Sequence, residues 1–216
     1  MEKIKSTLPN IVLSLTAICF IAGVILSVAD KYTSSAIAAT KAAELLNAIR
    51  NVTPDFDNNP VDEQFKAAVT GNDSLTVFPA KKGGVWVGSA VESYSKNGFS
   101  GLIRVIVGFD DKGKLVNFSV LEHNETPGLG SKMDEWFRKD KNRQNIIGRD
   151  MTKGALKVAK DGGDVDAITA ATISTRAFLE AVNLAYAAFS GYTDADTMSG
   201  ATTSDASSTD KSVTNK

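Results

Sequence analysis

The sequence predicts an α+β chain: an N-terminal transmembrane helix, then one domain with a mainly antiparallel sheet and flanking helices. Three observations predict it. Residues 11–29, "IVLSLTAICFIAGVILSVA", contain no charge, and with residues 8–10 the stretch can cross a hydrocarbon core of about 30 Å at about 1.5 Å per helical residue. In mid-chain, residues rich in β-branched and aromatic side chains fall into three runs, residues 84–94, 101–109 and 114–123. Between residues 173 and 189 the apolar period becomes helical, with Phe178, Leu179, Val182, Tyr186 and Phe189 on one stripe.

Each element follows from local chemistry. Lys3 and Lys5 precede the apolar span, so the positive-inside tendency puts residues 1–9 in the cytoplasm, residues 10–29 in the membrane and the main domain outside. A cleaved signal peptide is the competing reading; the run is longer than an ordinary h-region and no clear A-x-A site follows it. Residues 30–53 read as a separate helical connector that Thr53-Pro54 stops, and a short helix is expected near residues 64–69. Asp110-Asp111-Lys112-Gly113 is a hairpin turn between two strands. In the second of these, Val116, Phe118 and Val120 alternate with Asn117 and Ser119, as in a strand with one buried face. Residues 131–139 read as a helix capped by Ser131, and residues 154–160 as a further strand. The domain thus spans residues 54–193, and the Ser/Thr-rich residues 194–216 read as a disordered tail.

Composition narrows the function. Lys+Arg 24 against Asp+Glu 25 offers no basic surface for nucleic acid. One cysteine excludes an intrachain disulfide, and one histidine excludes the usual His or Cys metal constellations. Redox chemistry would therefore need a cofactor.

Two motifs stand out. "DAITAATIS", residues 166–174, precedes the long amphipathic helix and sets the Thr172 hydroxyl among small residues, beside backbone N–H donors that favour an anion. On its own it also reads as an N-cap supplied by Thr172, Ser174 or Thr175. "HNETPGLGSK", residues 123–132, follows a strand. Its Pro127, Gly128 and Gly130 impose a sharp turn with exposed donors, and the same letters also suit a plain strand-to-helix connection. His123, alone at a strand end, reads as a polar neighbour rather than a catalyst.

Together, in this order and spacing, the motifs resemble the FMN-binding domain of membrane flavoproteins in the Rnf and Na⁺-translocating quinone reductase complexes. With the anchor and this length, the chain is most similar to the G-subunit family of the Rnf ion-translocating electron-transport complex; the resemblance covers residues 84–190 and the anchor. In that family the last threonine of a D-x-x-[S/T]-G-A-T pattern carries FMN through a phosphoester made by a flavin transferase. The resemblance implies Thr172 as the acceptor, with Asp166, Thr169, Ala170, Ala171, Ile173 and Ser174 around it and Glu125, Thr126, Pro127, Gly128, Leu129 and Gly130 near the flavin. Ala170 departs from the family's glycine. The implied activity is electron transfer between ferredoxin and NAD⁺ coupled to Na⁺ or H⁺ transport in the cell inner membrane, with the other members of the complex, the transferase and the lipid bilayer as partners. A component of the quinone reductase, a stand-alone extracytoplasmic flavoprotein and a membrane-anchored interaction module without flavin are the alternatives. A second copy, "DTMSGAT" at residues 196–202, has the family's glycine and makes Thr202 a second candidate acceptor in the tail.

Overall fold

The computed structural model describes residues 8–69 and 74–200. They divide into two units between Leu45 and Leu46. α1 runs Leu8–Val52; its part up to Leu45 is the first unit and its last two turns belong to the second, and its Pro9–Tyr32 segment is long and apolar enough to cross a membrane. Its large apolar side chains are exposed; Phe20 is 73% and Leu26 70% accessible. No break separates span from connector, because residues 30–53 are mostly good helix formers with neither glycine nor proline before Pro54. Thr53 ends the helix, bonding Ile49 O through both its N–H (3.1 Å) and its hydroxyl (2.8 Å).

The second unit is a five-stranded antiparallel meander in the order β1-β2-β3-β4-β5. The strands are β1 (Phe65–Ala68), β2 (Ser74–Lys82), β3 (Val85–Gly98), β4 (Gly101–Asp110) and β5 (Leu115–His123). Asp110 makes the β4–β5 turn: its backbone carbonyl accepts from Gly113 N–H, and its carboxylate from the N–H groups of Lys112 and Lys114. The stretch near residues 64–69, expected as a helix, is instead strand β1, because Phe65 and Ala67 pair with Val77 and Leu75 and turn the same face toward the core. Residues 154–160 are not a strand. They contribute only an isolated bridge, Val158 to Val165, before a 3-10 turn over Ala159–Asp161.

One sheet face packs against α3 (Thr172–Gly200). Between them Phe178 stacks parallel on Phe137 at 4.6 Å and meets Phe118 edge-on at 5.1 Å. Ser93 sends its buried hydroxyl to Ala181 O, 2.8 Å. Burying each such phenyl ring contributes about 1.5–3 kcal/mol. On the other face lies the last turn of α1. Ile49 and Val52 are fully buried there, and Gly108 of β4 passes directly beneath the Val52 carbonyl.

Ser131 does not cap a helix. Residues Gly130–Lys132 form a 3-10 turn leading into the short α2 (Met133–Trp136), and the Ser131 hydroxyl accepts instead from Gly128 N–H at 2.9 Å. The α3 backbone continues through Gly200, into the segment expected to be disordered; extending an existing helix needs no new nucleus. Thr202 lies outside the described residues.

Candidate functional site

Two turns of the same design face each other at the start of α3. In the first, Leu129 N–H donates to Thr126 O at 3.1 Å, enclosing Pro127 and Gly128, whose φ is 79°. Proline followed by a left-handed glycine is what a type II turn requires. In the second, Ala171 N–H donates to Ile168 O at 3.0 Å, enclosing Thr169 and Ala170. Ala170 has φ 60°, in the left-handed region that L-residues with a Cβ occupy at a cost of about 1–2 kcal/mol. The turn thus uses positive φ at the position where the family has glycine, and alanine meets it under strain. Ala170→Gly is expected to raise stability by about 0.5–1 kcal/mol, since the relieved strain exceeds glycine's unfolded-state entropy. A thermal melt reads this as a Tm increase of about 1–4 °C.

Thr175 locks the second turn. Fully buried, its hydroxyl donates to Ala171 O and accepts from Ile168 N–H, at 3.0 and 3.1 Å. Asp166 holds the turn's approach. Its carboxylate accepts from the Arg143 backbone N–H and pairs with the Arg143 guanidinium, both at 3.2 Å, while its carbonyl accepts from the Trp136 indole at 3.0 Å. One turn into α3, Arg176 makes a bidentate pair with Asp161, 2.7 Å on both arms. That hydrogen-bonded guanidinium, helped by its charge, holds the Asp161 carboxyl below the usual carboxylate range.

Between the two turns lies a cavity of about 330 Å³, within the about 300–1,000 Å³ usual for small-molecule sites. Glu125, Thr126, Leu129, Gly130, Ala170, Ala171, Thr172, Ile173 and Ser174 line it, so the structure brings together most of the residues singled out in the two motifs. Asp166, Thr169, Pro127 and Gly128 lie outside its lining. Phe99, from the β3–β4 turn, completes it; sequence reasoning missed this residue. Its signal was a large apolar side chain in the otherwise polar turn "NGFSG". Phe99, Leu129 and Ile173 are all exposed, at 68, 40 and 49%, and form an apolar rim. Larger cavities, of about 590, 690 and 400 Å³, contain none of the motif residues.

Thr172 is the first residue of α3, half-buried on the cavity wall, and among the described residues nothing bonds its hydroxyl. The first-turn N–H groups have no intrahelical acceptor, and no acidic side chain sits in that turn to offset the positive helix end. An anion at Thr172 and a planar apolar ring against Phe99, Leu129 and Ile173 both suit this chemistry, so the donor set fits a flavin phosphate and its ring.

Comparison with known proteins agrees with that chemistry. Residues 98–187 match the FMN-binding domain family. The G-subunit of the ion-translocating oxidoreductase complex of Shewanella loihica is 34% identical over 175 residues, 76% of this chain and 81% of that protein. Its namesake in Vibrio parahaemolyticus is 33% identical over 162 residues, 69% and 74% of the two chains. That of Yersinia pestis is 34% identical over 168 residues, 72% and 78%. An N-terminal apolar helix, the antiparallel sheet under α3 and the paired turns thus occur in a chain that belongs to the G-subunit family of ion-translocating oxidoreductase complexes.

Proposed function

We propose that this chain is the electron-transfer flavoprotein component of a membrane-bound ferredoxin:NAD⁺ oxidoreductase coupled to Na⁺ or H⁺ translocation. FMN is joined to Thr172 by a phosphoester that a flavin transferase makes. The observation that carries the reading is the Thr172 hydroxyl, unengaged among the described residues, on the wall of an apolar-rimmed cavity at the open end of α3. Bound FMN supplies one- and two-electron redox chemistry. The protein's own part is to tether and orient. Thr172 would hold the phosphate, the first-turn N–H groups would offset its charge, and Phe99, Leu129 and Ile173 would shield the ring from water. A covalent bond suits a domain outside the cell's inner membrane, where released cofactor would be diluted.

The positive-inside tendency of Lys3 and Lys5 supports a cytoplasmic N-terminus and an extracytoplasmic domain. Partners are the remaining membrane and peripheral members of the complex, the transferase and the bilayer. The test is intact mass of the denatured full chain coexpressed with a flavin transferase, followed by peptide mapping. One FMN increment, on the peptide containing Thr172, is expected. A chain without added mass sinks the reading, and an increment confined to Thr202 moves the site to the tail.

A further inference from the structure

Glu125 stands at the cavity but is 5% exposed, and its carboxylate is occupied by protein. Oε1 accepts from Ser100 N–H at 3.0 Å, and Oε2 accepts from the Ser174 hydroxyl at 2.6 Å. Its main-chain N–H is fixed in turn by His123 Nδ1, 3.2 Å. The carboxylate also occupies space that a side chain at either of two glycines would need, although at Gly98 the Gly101 carbonyl oxygen, 2.4 Å from a Cβ, excludes one as well. A Cβ on Gly98 would come within 2.6 Å of Oε1, and one on Gly130 within 2.6 Å of Oε2 and of Ser174 Oγ. Both distances are below any ordinary contact, so the two glycines leave the space that the carboxylate fills.

The residues in this arrangement are the sequence neighbours of the cavity's apolar rim. Gly98 and Ser100 flank Phe99, Gly130 follows Leu129, and Ser174 follows Ile173. Three chain segments distant in sequence, the β3–β4 turn, the 126–130 loop and the start of α3, meet at one buried carboxylate. A buried charged acceptor that loses its donors is costly, so this contact resists being opened by thermal motion.

We propose that Glu125 is the positioning residue of the cavity: its carboxylate fixes the spacing of Phe99, Leu129 and Ile173, and it acts on the ring through them rather than by touching it. The proposal rests on the flavin reading for its ligand, while the spacing itself belongs to the protein alone. Rigid support of this kind is what keeps a binding site from being loose by the ångström that ruins orientation.

The experiment uses the full chain in detergent, with and without coexpressed flavin transferase, as wild type, Glu125→Gln, Glu125→Ala, Ser174→Ala and Ser93→Ala. Ser93→Ala is the control, since it removes an equally buried hydroxyl from the sheet–α3 interface away from the cavity. Two readouts are followed. In the flavin-free chain, hydrogen exchange at the Ser100 amide is expected to be about tenfold faster in Glu125→Ala, the factor for losing a bond to a buried charged group. Glu125→Gln, which keeps an acceptor in place, is expected to stay near wild type.

In the FMN-bearing fraction, Glu125→Ala and Ser174→Ala are expected to make flavin fluorescence more readily quenched by iodide and to blur the fine structure of the visible band. Ser93→Ala is expected to change neither. Unchanged exchange in Glu125→Ala together with unchanged quenching in Glu125→Ala and Ser174→Ala overturns the proposal, and so does the same quenching change in Ser93→Ala, which marks general loosening. A wild-type chain that takes up no FMN counts against the flavin reading instead, and the exchange result then decides the spacing alone. Should Glu125→Ala not fold, Ser174→Ala, which deletes a single oxygen, carries the decision.

Discussion

Thr172→Val is expected to abolish covalent FMN while leaving the fold in place. Valine keeps the β-branched shape, and a phosphoester cannot form without the hydroxyl oxygen. The substitution should be mild, because the Thr172 hydroxyl holds no bond among the described residues and its loss leaves no buried partner unpaired. The residue is half-buried at the first helical position, where valine and threonine have nearly the same helix propensity, so the Tm is expected to move by no more than about 1–2 °C. Thr172→Ser keeps the hydroxyl and is expected to retain the cofactor. Ultraviolet fluorescence of the chain on a denaturing gel separates covalent from loosely held flavin. A fluorescent Thr172→Val band of wild-type intensity would place the ester elsewhere, and Thr172→Val combined with Thr202→Val would then show whether the tail copy carries it. Loss of fluorescence with an unchanged melt ties the cofactor to this oxygen rather than to the stability of the domain.

The parts of the molecule legible in the sequence are those whose pattern is local. Strands β3, β4 and β5 declare themselves by β-branched and aromatic density, and the Asp110 turn by its letters. The apolar stripe of α3 carries its own period. β1 is illegible because four residues, "FKAA", suit helix or strand equally, and only pairing with β2 decides between them. β2 itself contains Pro79, which argues against an interior strand even though the strand lies between β1 and β3. At the site, the setting of Thr172 can be read from small residues ahead of a helix. The strain at Ala170 cannot, since φ depends on how the turn closes onto Ile168. The role of Glu125 is hidden for the same reason: its partners Ser100 and Ser174 lie in different elements, and sequence spacing carries no sign that they meet.

Gly108→Ala is expected to cost more stability than any other single methylene added to the sheet. A Cβ built on Gly108 would lie 1.8 Å from the Val52 carbonyl oxygen, 2.4 Å from its carbon and 3.1 Å from Thr53 N. All three are backbone atoms, so no rotamer change relieves the overlap and the last turn of α1 must lift from the sheet. Lifting exposes Ile49 and Val52, which are fully buried, and pulls on the Thr53 hydroxyl bond that ends the helix. Overpacking a core ordinarily costs about 1–3 kcal/mol, and a backbone-to-backbone overlap belongs at or above the upper end. For a domain of this size about 3 kcal/mol corresponds to a Tm lower by roughly 6–12 °C. Gly83→Ala supplies the contrast. That glycine has φ 59° but nothing within 4 Å of its Cβ position, so it isolates conformational strain, about 1–2 kcal/mol, from steric displacement. Melts of the two full-length variants, followed by circular dichroism in detergent, should differ clearly. Equal losses would mean that the end of α1 yields without resistance, and that Gly108 is not required by the close passage of the helix terminus over β4.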